Sequence, residues 1–226
     1  MQDSIRAYLE LAERRPELFA PSEAIPIVMD EAAIRAFSEA KQKPMGLVYD
    51  NSPFYMVLAD LCRGKRGEYS YARVVNCNPK SNGTVAIPCW NGKLGLLTVF
   101  RHAPRRSGLE FPRGFAETQT LTLEENIRKE LSEEIGVPKD SCELTNLGEV
   151  QADSGLCAGT AAIYLAAFTT PEIGRLGTEE GIRDFRWFEI EEMKAMIAKD
   201  KITDSFTISA FAKLLCREET KPGHKE

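Results

Sequence analysis

Residues 114–137 read GFAETQTLTLEENIRKELSEEIGV, from Gly114 to Val137. Ile127, Leu131 and Ile135 recur at helical spacing, so a helix is expected over 122–135, ended by Gly136 with Pro138 just beyond. Glu130, Glu133 and Glu134 then stand at i, i+3 and i+4, within an arc of roughly 100° on one face. Like charges so spaced repel by roughly 0.2–0.5 kcal/mol per pair, and a cation would relieve them.

The apolar stripe lies directly beside that arc, which places the carboxylates at the border of the core, where their field is poorly screened. Oxygen-only ligands of this kind suit Mg²⁺ or Mn²⁺. The plainer alternative is a solvated acidic face, with Glu125 and Lys129 as an ordinary i, i+4 pair.

Around this segment the chain is ordinary globular material: 226 residues, 43 % apolar and 28 % charged. A formal charge of −5 gives no bulk attraction for nucleic acid or an anionic membrane, so phosphate must be met locally. RGKR at 63–66 is too small a basic cluster for a nucleic-acid footprint. No apolar run is long enough to span a bilayer, and residues 1–15 lack the apolar core of a signal peptide. The six cysteines form neither a C-x-x-C pair nor a zinc pattern, and reduced thiols in a cytoplasmic protein are the simplest expectation.

Upstream, two amphipathic helices are expected over 4–15 and from Asp30 to Lys41, followed by strands in GLVYD, FYMVLADLC and YSYARVVN. Asn82-Gly83 and Asn91-Gly92 carry hairpin signals, and Pro88 points to an edge strand or bulge. Downstream, strands are expected near 144–152, 160–169 and 182–188, then helices from Glu189 to Lys199 and from Asp204 to Leu215. The alternation argues a mixed α/β (α+β) domain over 81–217, with an N-terminal extension over 1–80 and a flexible tail over 218–226.

Leu109-Glu110-Phe111-Pro112-Arg113-Gly114-Phe115-Ala116-Glu117 leads into the helix as a loop whose glycine permits close backbone approach. Arg101, Arg105 and Arg106 precede it, where guanidinium groups are able to grip diphosphate or ribose oxygens. His102 has no serine or cysteine constellation around it, and Trp90, Tyr69 and Tyr71 are candidates to stack a base.

Lys129-Glu130-Leu131-Ser132-Glu133-Glu134-Ile135-Gly136-Val137 resembles the second half of the Nudix box, G-x5-E-x7-R-E-U-x-E-E-x-G-U, where U is aliphatic. Lys129 stands where the box has Arg, Gly114 matches the first Gly after a one-residue insertion, and Thr120 or Leu121 takes the place of the first Glu. The resemblance runs over about 83–216 and is nearest to the subfamily that hydrolyses ADP-ribose and related nucleoside diphosphate sugars. It is carried by LLTVFR before LEFP, by Ala152-Asp153-Ser154-Gly155, and by Glu179-Glu180-Gly181-Ile182 followed by Trp187 and KITDSFT at 201–207.

The resemblance implies an α/β/α sandwich with a mixed sheet, and hydrolysis of a nucleoside diphosphate derivative, ADP-ribose to AMP and ribose 5-phosphate as the first expectation. It implies Mg²⁺ or Mn²⁺ held by Glu130, Glu133, Glu134, the Ala116 carbonyl and Glu180. Glu134, Glu133, Glu180 and, in reserve, Glu179 are the implied catalytic group, with Arg101, Arg105, Arg106, Glu110 and Ser154 toward the substrate. A homodimer through the N-terminal strands follows from the same analogy. The rival expectation is a Nudix-fold module that binds a nucleotide sugar without cleaving it, for which Lys129 and the absent first Glu speak.

Overall fold

The computed structural model describes residues 3–77, 83–115, 121–177 and 181–219. It divides into a first unit, Met1–Pro79 with Asp153–Gly159, and a second, Lys80–Ala152 with Thr160–Glu226.

In the first unit, Asp3 caps α1 (Ser4–Arg14) and Asp30 caps α2 (Glu31–Lys41), each carboxylate accepting backbone N–H groups that have no partner inside the helix. The strands β1 (Gly46–Asn51), β2 (Tyr55–Gly64) and β3 (Gly67–Asn76) form an antiparallel sheet in that order. Tyr8, fully buried on α1, donates to Asp60 on β2 at 2.5 Å, and Arg73 on β3 donates to both oxygens of the same carboxylate. Burial, helped by the Asp60 charge, pushes the Tyr8 phenol far above its ordinary value, so it stays a neutral donor. Asp153–Gly159 joins this unit through β3: Val74 donates to the Leu156 carbonyl and accepts from the Ala158 N–H.

The second unit is the expected sandwich. Its strands are β4 (Gly83–Trp90), β5 (Lys93–Arg101), β6 (Arg106–Glu110), β7 (Arg113–Phe115), β8 (Cys142–Val150), β9 (Ala161–Phe168) and β10 (Ile182–Phe188). They run in the order β10-β5-β4-β9-β8, with β6 on β5 and β7 on β4; β4 and β9 are parallel and the other pairs antiparallel.

Alternation along the strands divides the core in two. Ala86, Leu97, Val99, Ala162, Tyr164 and Ala166 face the helix α3 (Leu123–Ile135), while Val85, Ile87, Leu94, Leu96, Ala161 and Ile163 face α4 (Ile190–Ala198) and α5 (Ser205–Glu219). The family of layers read from the sequence is therefore present, with α5 continuing through Glu219, into the stretch expected to be a tail.

Three local expectations are corrected. Asn91-Gly92 does turn the β4–β5 hairpin, with φ of 47° and 77°, but Gly83 opens β4 beside β9 and β7, whereas β3 belongs to the other sheet, so no hairpin links them. Asn82 lies outside the described residues. Pro88 sits in the central strand β4, not at an edge: β4 and β5 pair only at Cys89–Leu94 and Trp90–Lys93, and beyond that point they splay apart. The residue two before it, Ala86, donates on that side to the Pro112 carbonyl, so an imino nitrogen at 88 forfeits no rung of the β4–β5 ladder. The approach at 109–115 is not a loop, because β6 and β7 fill the splay, with Phe111 fully buried between them.

Candidate active site

Thr122 and Glu125 form a capping box at the start of α3. Thr122 Oγ1 accepts from the Glu125 N–H at 3.2 Å, and Glu125 Oε2 accepts from the Thr122 N–H at 2.8 Å. Glu125 is thus committed to the cap, and the Glu125–Lys129 pair of the plainer alternative gives way to a Lys129–Glu133 pair. At the other end Gly136 takes the left-handed conformation, φ 67°, that stops a helix with least strain.

Between these stops the helix turns Ile127, Leu131 and Ile135 into the core and carries two carboxylates with them. Glu130 is 5 % exposed and Glu134 2 %. Burying a carboxylate is costly unless it is met by donors or cations. Glu134 Oε2 accepts from the Arg113 N–H at 3.1 Å, and the Glu130 carboxylate lies against Gly114, where an added Cβ would come closer than 3.0 Å to all three of its atoms. Glu133 differs: its side chain is half-exposed and pairs with Lys129 at 3.1 Å. Arg128 does not substitute for the box arginine, since it donates to the Lys139 and Cys142 carbonyls and ties down the segment after α3.

Glu110 ends β6 as a buried carboxylate shared by two arginines. Its Oε2 accepts from Arg101 at 2.7 and 2.9 Å and from Arg113 at 3.0 and 3.2 Å. Burial works against the Arg101 charge, but the hydrogen bond and ion pair with Glu110 outweigh it and raise the guanidinium above its ordinary value. Arg113 also reaches Asp204 at 3.2 Å and stacks on Phe206. Asp204 accepts from the Thr207 N–H and hydroxyl, and Thr207 Oγ1 accepts from the Phe111 N–H at 3.0 Å. The start of α5 is thereby bolted to the strands that carry Arg113 and Gly114.

Arg105 and Arg106 are exposed. Arg105 stacks on Phe100 and bonds His102 Nδ1 at 2.8 Å, while Arg106 donates to Thr203 at 3.2 Å. Ser154 is exposed and belongs to Asp153–Gly159, the segment counted with the first unit. Ala116, Glu117, Glu179 and Glu180 lie outside the described residues. Of the candidate stacking rings, Trp90 packs on Trp187 at 6.2 Å and Tyr71 bonds the Gly155 carbonyl, so both are engaged within the fold.

Among the described residues no three of His, Cys, Asp and Glu stand close enough to hold a metal ion, and no helix is long and apolar enough to cross a membrane. The donor set still fits a hard divalent cation: Glu130 and Glu134 present carboxylate oxygens out of bulk solvent, one turn apart, beside a glycine whose missing side chain is what gives Glu130 its room.

Arg113, Asp204 and Thr207 escaped sequence reasoning. Arg113 meets Asp204 across 91 positions and Thr207 meets Phe111 across 96, and no local periodicity encodes such pairs.

A family model described as NUDIX domain matches residues 80–206. No curated protein matches the sequence. Among solved structures, the crystal structure of an ADP compounds hydrolase is similar with a TM-score of 0.60, at 15 % identity, over 76 % of this chain and 90 % of that one. At that identity the likeness is one of fold.

Proposed function

The chain belongs to the Nudix family of pyrophosphohydrolases, and on that premise we propose that it hydrolyses a nucleoside diphosphate linked to a further moiety, ADP-ribose foremost, to AMP and ribose 5-phosphate. The observation that carries this reading is the burial of Glu130 and Glu134 against the backbone of Arg113 and Gly114. A surface decoration would not place two carboxylates there.

Members of the family generally need divalent metal ions; here Mg²⁺ or Mn²⁺ would be held by Glu130, Glu134 and Glu133, with the Ala116 carbonyl and Glu180 proposed as further ligands. Such an ion would supply the charge that polarises phosphoryl oxygens and lowers the pKa of a water bound to it. Glu180, with Glu179 in reserve, orients that water and takes its proton. Glu110 holds Arg101 and Arg113 in fixed directions, so that neither guanidinium must be ordered when the diphosphate arrives. Arg105 and Arg106 supply exposed cations for phosphate oxygens. A homodimer through the first unit is part of the same reading, supported by the exposed Tyr49, Phe54 and Tyr55. A cytoplasmic location is supported by six free cysteines.

An end-point assay over a panel of nucleoside diphosphate derivatives, with and without Mg²⁺ or Mn²⁺, tests the proposal. Metal-dependent release of AMP from ADP-ribose is expected. Binding of the nucleotide sugar without any cleavage would favour the sensor module instead.

A further inference from the structure

The buried side of α3 carries one polar residue that the reaction above leaves unused. Asn126 stands one turn ahead of Glu130 and two ahead of Glu134, in one column of the helix, and is fully buried. Its Nδ2 donates to Thr84 Oγ1 on β4 at 2.8 Å. Thr84, itself buried, pairs with Gly114 in the β4–β7 ladder, and Gly114 is the residue on which the Glu130 carboxylate rests.

Four residues therefore close a frame. Thr84 and Gly114 lie across two strands, Asn126 and Glu130 along one helix, joined at one end by a hydrogen bond and at the other by close packing. A slide of α3 by one residue, about 1.5 Å, would break both joins together. The amide Oδ1 has no partner among the described residues. A threonine hydroxyl meets only one end of an amide, so whichever way the amide is turned its other end is left over. An apolar side chain would fill the same space without that cost, which marks Asn126 as serving something besides core packing.

We propose that Asn126 is a positioning residue: through Thr84 it fixes the axial register of α3 that seats Glu130 on Gly114 and Glu134 on the Arg113 N–H. The inference rests on the reading of Glu130 and Glu134 as metal-holding carboxylates.

The test compares wild type with T84V/N126L, in which both polar groups give way to apolar ones of similar shape, and with T84S, which keeps the hydroxyl. Each protein is titrated with Mn²⁺ alone by electron paramagnetic resonance, and kcat, KM and the thermal midpoint are measured beside it. T84V/N126L is expected to keep or raise the thermal midpoint, to bind Mn²⁺ about tenfold more weakly and to lose kcat with KM little changed, while T84S behaves as wild type. Wild-type Mn²⁺ affinity in a folded T84V/N126L overturns the inference alone. Should that protein not fold, T84V is titrated in its place, and undiminished affinity there overturns the inference equally. A wild-type chain that takes up no Mn²⁺ overturns the metal reading beneath it.

Discussion

The Glu130 carboxylate occupies the space that a side chain at position 114 would need. Gly114 is required there by contact and not by backbone conformation, since it is absent from the residues with positive φ. Gly114→Ala is expected to drive Glu130 off its seat, to cost about 1–3 kcal/mol of stability by overpacking, and to lower turnover further than that loss explains. Urea denaturation alongside the hydrolysis assay checks both; a stable and fully active variant would mean that Glu130 tolerates another position.

Glu134→Gln keeps an oxygen that can accept from the Arg113 N–H while it removes the charge. Its thermal midpoint should stay within a few degrees of wild type, while kcat at saturating Mg²⁺ falls about 10²–10⁴-fold. Unchanged kcat would take Glu134 out of the mechanism.

Glu110→Gln leaves two guanidinium groups facing a neutral amide in a site where the original carboxylate is 6 % exposed. Removing the shared carboxylate charge takes its main partner from Arg101 and leaves Arg113 to Asp204, and a loss of roughly 2–3 kcal/mol is expected from chemical denaturation. A loss under about 0.5 kcal/mol would show that solvent already screens the cluster.

The capping box gives a pH signature. Hydrogen bonds from the Thr122 backbone, then its hydroxyl, hold the Glu125 carboxyl below its ordinary value. A depressed folded value means that the stabilisation is complete above the unfolded value, about 4.3, and disappears as pH falls through the folded one. The thermal midpoint of wild type should therefore exceed that of Glu125→Gln by a constant margin from about pH 7 to 5, and the margin should close below about pH 4. A margin that persists at pH 3 would assign the effect to shape and not to charge.

Much of this is legible in the sequence. The apolar period of Ile127, Leu131 and Ile135 fixed the face of α3, and Gly136 its end, because both are local consequences of helical geometry. Asn91-Gly92 made its turn for the same reason: the two residues alone tolerate the φ values required. Asn82-Gly83 failed as a hairpin because a turn signal carries no information on which sheet each flanking strand joins. Pro88 misled in the same way, since its placement depends on where β4 and β5 part company.

Within the site, the acids on α3 were legible because they share a helix, although Glu133 turned to Lys129 while Glu130 and Glu134 turned inward. Spacing put all three within one arc; the pairing of Lys129 and the glycine at 114 separated them. Arg113, Thr84 and Asn126 were illegible, because the contact that gives each its role is tertiary. The commitment of Glu110 to two arginines also needed the folded β6–β7 approach, which the sequence suggested was a loop.

The decisive measurement is calorimetric titration of Mn²⁺ into the chain in the presence of a non-hydrolysable ADP-ribose analogue, with E130Q/E134Q beside it. Saturable uptake by wild type that vanishes in the double variant is the predicted result. No uptake by wild type, or equal uptake by both proteins, would contradict the assignment of these buried carboxylates to a divalent ion at the diphosphate.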